Sequence, residues 1–331
     1  MQTPKVPWYR YAPIASLDAL ALALGVTKEA ILAARASIAS SYRRQEHPKK
    51  DGGVRVTYSV ARPLKAVQKR ILHRIVRKAD MPDYLLGGRP GRSYLDNVQY
   101  HCGAKVLFGE DVSSFYPSIK RVRVHSIFQH LFHFPPEVAE CLADLCTYQG
   151  EVPQGAPPSE DLANLALWRR EPGLVARFEE KGFRYSRYVD DVYVSAPRLI
   201  SSQDKTWIVG EILTLLKLEG FQVKRTKHEL ATSRSAMRVH RVGINAGRPS
   251  ISKKVRSKLR ADVHRLVVAC PHQGDEENVR RIYCSLRGRA AGLKRLHPNE
   301  YARLSRQLDV AERAMQRGKI AAPDNADRRP S

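Results

Sequence analysis

The chain has 331 residues and sets 57 Lys and Arg against 33 Asp and Glu, a formal charge of +24 at pH 7. Like charges at this density oppose compaction, so they imply a polyanionic partner, nucleic acid before others. The length allows two or three subdomains; no long apolar run, signal peptide or lipidation motif points to a membrane; and five cysteines without paired CxxC spacing (Cys102, Cys141, Cys146, Cys270, Cys284) read as reduced thiols in the cytosol.

In chain order, Ser16 to Ala36 reads as helix with an apolar stripe of Leu17, Leu20, Leu22, Leu24, Ile31 and Leu32, broken in two at Gly25-Val26-Thr27-Lys28. Leu64 to Arg77 is amphipathic, with Leu64, Val67, Ile71, Leu72 and Ile75 inward and Lys65, Lys69, Arg70, Arg74 and Arg77 outward, a basic face suited to RNA. Helices are expected at 122–131, 136–147, 159–171 and 205–219, interleaved with strands near 104–112, 183–189, 192–196 and 241–245, which makes an α+β arrangement. Cys141 and Cys146 fall on a mostly apolar helix, where burial is the expected fate and a zinc site the alternative. The end is helical over 253–269 and 276–316, with breaks near Gly288 and Gly292 and Pro298 opening a last helix; disorder is expected from about Ala321. From Ile251 to Ser331 there are 19 Lys and Arg against 9 Asp and Glu, more bias than solubility needs.

Two adjacent acids stand out. Tyr188-Val189-Asp190-Asp191 lies in the apolar run from Phe183 to Ala196, and at the tip of a short hairpin both carboxylates can face one divalent ion; an ordinary turn is the plain alternative. A third acid, Asp111, follows Val106-Leu107-Phe108 and precedes Val112-Ser113-Ser114-Phe115-Tyr116-Pro117-Ser118-Ile119, a strand running into a helix start. Two-metal phosphoryl transfer needs carboxylates from separate strands to hold ions about 3.5–4 Å apart, and oxygen ligands of this kind suit Mg²⁺.

With these acids the chain resembles the reverse transcriptases, whose first palm motif is an Asp followed by adjacent aromatics and whose third is Tyr-x-Asp-Asp. Further matches come in the family's order. Lys49-Lys50-Asp51-Gly52-Gly53-Val54-Arg55 with Leu64-Lys65-Ala66-Val67-Gln68 resembles the fingers, and Gly91-Arg92-Ser93 through His101 the next block. Val152-Pro153-Gln154-Gly155-Ala156-Pro157-Pro158-Ser159 resembles the Pro-Gln-Gly block, Gly220-Phe221 with Lys227 the fourth palm motif, and Val242-Gly243-Ile244 the turn that grips the primer end. The fold implied is a right-hand polymerase: a helical extension at 1–43, fingers at 44–104 with part of 120–150, a ferredoxin-like palm at 105–248, a helical thumb at 249–320 and a tail at 321–331.

The resemblance also implies roles. Asp111, Asp190 and Asp191, with the carbonyl of Val112, would hold two Mg²⁺ ions, Mn²⁺ being an alternative. Lys49 and Arg55 would close on the triphosphate, or else be solvated charges on a Gly turn. Tyr116 would block a ribose 2′-hydroxyl, or else be core. Gln154 and Gly155 would underlie the incoming dNTP and template base, and Lys227 would protonate pyrophosphate. Arg92, Asn97, His101, Val242, Gly243, Lys253, Arg256 and Arg260 would contact nucleic acid. The compact chain looks like a bacterial retron-type enzyme, which copies a cognate structured noncoding RNA, as template and as primer, through an RNA–DNA duplex. Such an enzyme serves antiphage defence, with a toxin or effector protein encoded alongside. Val98 in Asn97-Val98-Gln99-Tyr100-His101, His240-Arg241-Val242-Gly243, and Val189 depart from the retron pattern. Defence-associated reverse transcriptases outside the retrons, group II intron enzymes and an inactive RNA-binding protein are the alternatives.

Overall fold

The computed structural model describes residues 5–49, 52–223, 229–269 and 276–320. They form a mixed α/β protein in two compact units, Met1–Val239 and His240–Ser331.

In the first unit, α1 (Leu17–Leu24) starts at the Ser16 cap and stops at Gly25 in the left-handed conformation, and α2 (Lys28–Ala36) restarts at the Thr27 cap. Leu22 and Leu32, expected in the buried stripe, are exposed. Leu22 lies two residues from Leu20, roughly 200° around the helix, so it cannot share that face. A hairpin follows, β1 (Tyr42–Pro48) against β2 (Val54–Val60), with Tyr42 opposite Val60. Helix α3 (Arg62–Arg74) buries Leu64, Val67, Ile71 and Leu72 as its pattern predicts. Its basic face is not all available to RNA. Arg70 donates to the carbonyls of Leu24 and Gly25, both at 2.8 Å, and Arg74 to that of Ala23 at 3.2 Å. These arginines satisfy carbonyls that the end of α1 leaves without helical partners.

Helix α4 (Tyr94–Tyr100) leads to the central strand, β3 (Val106–Ser113). Short helices α5 (Phe115–Ser118) and α6 (Arg121–Ser126), a π turn at Ile127–Leu131, and α7 (Pro136–Cys146) come next. Cys141 and Cys146 are enclosed in α7, and burial pushes the Cys141 thiol up to about 11. The helix expected over 159–171 is in fact two, α8 (Ser159–Leu165) and α9 (Glu171–Glu180). Pro172 explains the restart: in a first helical turn its missing N–H removes no bond. Then follow β4 (Arg184–Tyr188), β5 (Asp191–Ala196), α10 (Ser202–Leu218), β6 (Gln222–Val223), β7 (Glu229–Thr232) and β8 (Arg238–Val239). The five-stranded sheet runs β4-β5-β3-β6, with β7 also on β3, and every pair is antiparallel. Aliphatic and aromatic side chains from α1 to β6 merge into one core around it.

The second unit begins with β9 (Val242–Gly243), where Gly243 exchanges two backbone hydrogen bonds with Ser250 at 2.8 and 2.9 Å. Three helices, α11 (Lys253–Ala269), α12 (Glu276–Ala291) and α13 (Pro298–Ile320), enclose a separate core in which Leu259, Val263, Val279, Leu286, Leu304 and Leu308 recur at helical spacing. Gly288 stays within α12. The tail from Ala321 lies outside the described residues. No described helix is long and apolar enough to cross a membrane.

Candidate active site

The strand register brings the three acids together. Asp111 is the cross-strand partner of Asp191, and Tyr188 pairs with Asp191 to close a hairpin whose two loop residues are Val189 and Asp190. The Val112 amide donates to the Asp190 carbonyl at 3.0 Å, tying the loop to the end of β3. Asp111, Asp190 and Asp191 are all partly exposed, so solvent reaches this end of the sheet. Burial, together with the negative Asp111, holds the Asp190 carboxyl above the ordinary carboxylate range, against the opposing effects of a backbone hydrogen bond, Arg55 and Arg187.

No three His, Cys, Asp or Glu side chains converge as a preformed metal cage among the described residues. The donor set nevertheless suits a cation that arrives with its substrate. Asp190 is penalised by a neighbour of the same sign, which a positive ion relieves, and Mg²⁺ binds through one or two carboxylates, waters and substrate phosphates.

Of the residues singled out for the nucleotide, Tyr116 and Arg55 interact electrostatically with Asp190. Burial raises the Tyr116 hydroxyl well above its usual range, with Glu160 and Asp190 adding to the shift and Arg55 opposing it. The positive charge of Arg55, on β2, thus acts on both Tyr116 and Asp190. Tyr116 is only half-buried, whereas Phe115 is enclosed and stacks on Phe221 with ring centroids 4.8 Å apart. The Tyr58 amide donates to the Gln154 carbonyl at 2.8 Å. Gly155 has φ of +111°, and a Cβ there would lie 2.7 Å from the Tyr58 carbonyl oxygen, so only glycine permits this docking of β2. Lys49 is exposed at the hairpin tip, where its amide donates to the Gly53 carbonyl at 2.7 Å. Lys227 lies outside the described residues.

Several expected nucleic-acid contacts need correction. Asn97 and His101 are fully buried. His101 bonds Ser195 through Nδ1 and Ser186 through Nε2, both at 2.7 Å, and the Ser186 hydroxyl donates to Asn97 Oδ1 at 2.6 Å. The Ser186 proton is thereby committed to Asn97, which leaves Nε2 to donate to the Ser186 oxygen. This network fastens the end of α4 to β4 and β5 and offers nothing to a ligand. Val242 is also buried, although Gly243 beside it is half-buried; Arg92 is exposed and pairs with Asp83 at 2.8 Å. In the second unit Arg256 and Arg260 both pair with Glu300. Burial would raise the Glu300 carboxyl, but these two guanidinium groups hold it below its ordinary range. They join α11 to α13, while Lys253, Lys254 and Lys258 stand exposed.

Sequence reasoning passed over the residues beneath the hairpin: Arg187, Glu171, Asn164 and Gly87. A charged residue between Tyr185 and Val189, at a position where a strand's alternation points inward, was the available signal.

The chain matches the reverse transcriptase (RNA-dependent DNA polymerase) family over residues 47–257. It is similar to the Retron Se72 reverse transcriptase of Salmonella heidelberg (strain 579083-10), 31% identical over 290 residues, 86% of this chain and 76% of that protein. It is likewise similar to the Retron Ec48 reverse transcriptase of Escherichia coli, 29% identical over 330 residues covering 95% of this chain and 80% of the other. The Retron Mx65 reverse transcriptase of Myxococcus xanthus is 30% identical over 278 residues.

The division of cations in the second unit can be measured. Changing Lys253, Lys254 and Lys258 together to Gln should flatten the slope of log K against log salt for RNA binding, by about one unit for each lost phosphate contact. Arg256→Gln should instead lower thermal stability and leave the slope in place. An unaltered slope in the lysine variant, read by fluorescence anisotropy over a salt series, would make those lysines ordinary solvated surface.

Proposed function

Because the chain belongs to the retron-type reverse transcriptases, RNA-directed DNA polymerases, we propose that it copies a cognate structured noncoding RNA into DNA by two-metal nucleotidyl transfer. The pairing of Asp111 with Asp191 across β3 and β5, with Asp190 in the hairpin loop between β4 and β5, is the observation that carries this reading. Asp111 and Asp190 would hold the ions, with the Val112 carbonyl as a further ligand and Asp191 assisting. When bound, two Mg²⁺ ions supply activation of the primer oxygen and stabilisation of the leaving phosphate.

The protein's own groups do the rest. Arg55, whose charge acts on both Tyr116 and Asp190, clamps the triphosphate, and Lys49 at the tip of the same hairpin reaches the outer phosphates. Tyr116 occupies the sugar side and excludes a 2′-hydroxyl by bulk. Gln154 and Gly155, where the backbone can approach closely, underlie the base and template. Lys227 protonates the departing pyrophosphate, on the strength of its place in the sequence. In this reading β1 and β2 are fingers, the five-stranded sheet a ferredoxin-like palm and α11 to α13 a thumb whose exposed lysines hold the RNA–DNA duplex. A retron role in antiphage defence, with an effector encoded alongside, is what the resemblance to retron-type enzymes implies. The Val98 departure does not oppose it, because that side chain is fully buried and substitutes one apolar group for another.

Asp190→Asn should abolish Mg²⁺-dependent dNTP incorporation on a primed RNA template and leave RNA affinity within about twofold, since one neutralised carboxylate removes a ligand but no phosphate contact. Incorporation that survives both this change and Asp111→Asn would remove the acids from the chemistry. Tyr116→Ala should raise ribonucleotide use relative to deoxyribonucleotide use in single-nucleotide assays, and a constant ratio would return Tyr116 to the core. Nucleic acid copurifying with the expressed protein, once sequenced, should be one structured RNA covalently joined to DNA. Repetitive or unbranched DNA would favour a defence-associated enzyme outside the retrons.

A further inference from the structure

The hairpin that carries Asp190 and Asp191 adopts a backbone its sequence does not favour. Val189, the first residue of the two-residue loop, has φ of +58°. That region suits glycine; a β-branched residue there is an outlier that costs about 1–3 kcal/mol and persists only when its surroundings enforce it. The enforcing groups can be identified. Arg187 is fully buried, and all five of its N–H donors are used. Nε donates to Glu171 Oε1 at 2.6 Å and Nη2 to Glu171 Oε2 at 2.8 Å. The other Nη2 proton goes to the Asn164 carbonyl at 2.7 Å, and the two on Nη1 go to the carbonyls of Ala163 at 3.3 Å and Val189 at 2.9 Å. Glu171 is itself buried and accepts a further bond from the Tyr185 hydroxyl at 2.7 Å.

From the opposite side, Gly87 lies against the same turn. A Cβ on Gly87 would sit 2.6 Å from both the amide nitrogen and Cγ2 of Val189, and its carbonyl accepts from Asn164 Nδ2 at 2.7 Å. Val189 is thus pinned between a guanidinium on its carbonyl and a glycine backbone on its amide. The Val189 carbonyl and the Asp190 amide belong to one rigid peptide plane. Fixing the first fixes the Asp190 amide and Cα, and the Val112 amide, donating to the Asp190 carbonyl at 3.0 Å, holds the residue on its other side. The two together set the direction from which the Asp190 side chain departs.

We infer that Arg187, oriented by Glu171, is a positioning residue for the polymerase reaction: it holds Val189 in the left-handed conformation and so aims the Asp190 and Asp191 carboxylates. The inference rests on the reading of those acids as metal ligands. Lysine cannot replace this guanidinium, because an ammonium has three donors and no planar fork to serve a bidentate carboxylate and three carbonyls together.

The test compares kcat, KM for dNTP, the Mg²⁺ concentration giving half-maximal rate, and RNA affinity in the full-length protein. Arg187→Lys should lower kcat by about 10²-fold, the loss typical of a misplacement near 1 Å, and raise the Mg²⁺ requirement, with KM and RNA affinity little changed. A second variant guards against simple misfolding. Glycine at 189 needs no enforcement at positive φ, so Val189→Gly combined with Arg187→Lys should recover at least tenfold of the lost kcat and return the Mg²⁺ midpoint toward the unmodified value. A folded Arg187→Lys protein with unaltered kcat and Mg²⁺ midpoint, or a double variant no better than the single one, would overturn the inference. Activity that persists in Asp190→Asn would instead remove the metal-ligand reading beneath it, so the two failures are separable.

Discussion

A buried guanidinium and carboxylate beneath a two-residue hairpin loop constrain the rest of the first unit. Burying Arg187 and Glu171 costs several kcal/mol per ion in desolvation, and an apolar pair of similar volume would hold a core together at least as well. Stability is therefore a poor reason for the pair. What an apolar pair cannot do is bond carbonyls of two different elements at once. Arg187 joins Ala163 and Asn164, around the end of α8, to Val189 in the loop, and Glu171 brings in the start of α9. Burial alone would lower the Arg187 pKa, but Glu171 more than reverses this, so the group stays charged at any working pH. The charge is fixed, and with it the loop.

That constraint works because β3 is held on both edges. Its first residues pair with β5 on one side and β7 on the other, and its last two pair with β6. The strand cannot slip by one residue without moving Asp111 to the opposite face and breaking its alignment with Asp191. Two rows further down Ser186 fastens to Asn97 and His101, and four rows down Ser195 fastens to His101. Solvent-facing acids at one end of a sheet are thus backed by a saturated polar network on β4 and β5. Rigid support of this kind is what the proposed metal site would need, because its protein ligands are few.

The acids were legible in the sequence because their neighbours carry a simple period. Val106-Leu107-Phe108 and the Phe183 to Ala196 run read as strands, and adjacent carboxylates between apolar residues are rarely idle. The C-terminal helices were legible for the same reason, with α11 falling on the expected residues. Two kinds of feature were not. Glu171-Pro172-Gly173 looks like a helix end, and only packing shows it to be a start, so the partner of Arg187 stayed hidden. Asn97 and His101 sit at a family spacing that says nothing about which way they face. A polar side chain satisfied inside and one waiting for RNA have the same letter, and long-range hydrogen bonds to Ser186 and Ser195 decide between them.

The net charge needs a similar division. Much of the arginine among the described residues is spent internally: Arg70 and Arg74 on the end of α1, Arg123 on Glu219 and the Ala166 carbonyl, Arg256 and Arg260 on Glu300, Arg287 on Asp309. The planar fork suits such work, because it meets carboxylates and paired carbonyls with little entropy lost per bond. Lysine, a hydrated point charge on a flexible stem, is the better residue for an exposed face that must follow a phosphate backbone. Lys253, Lys254 and Lys258 are exposed on the first turns of α11, where Arg256 and Arg260 already have a carboxylate. Within one helix, then, Arg256 and Arg260 tie the bundle together while Lys253, Lys254 and Lys258 stay at the surface. The formal charge of +24 already nets out the carboxylates that the arginines meet, so what the pairing decides is where the surplus is displayed, not its size.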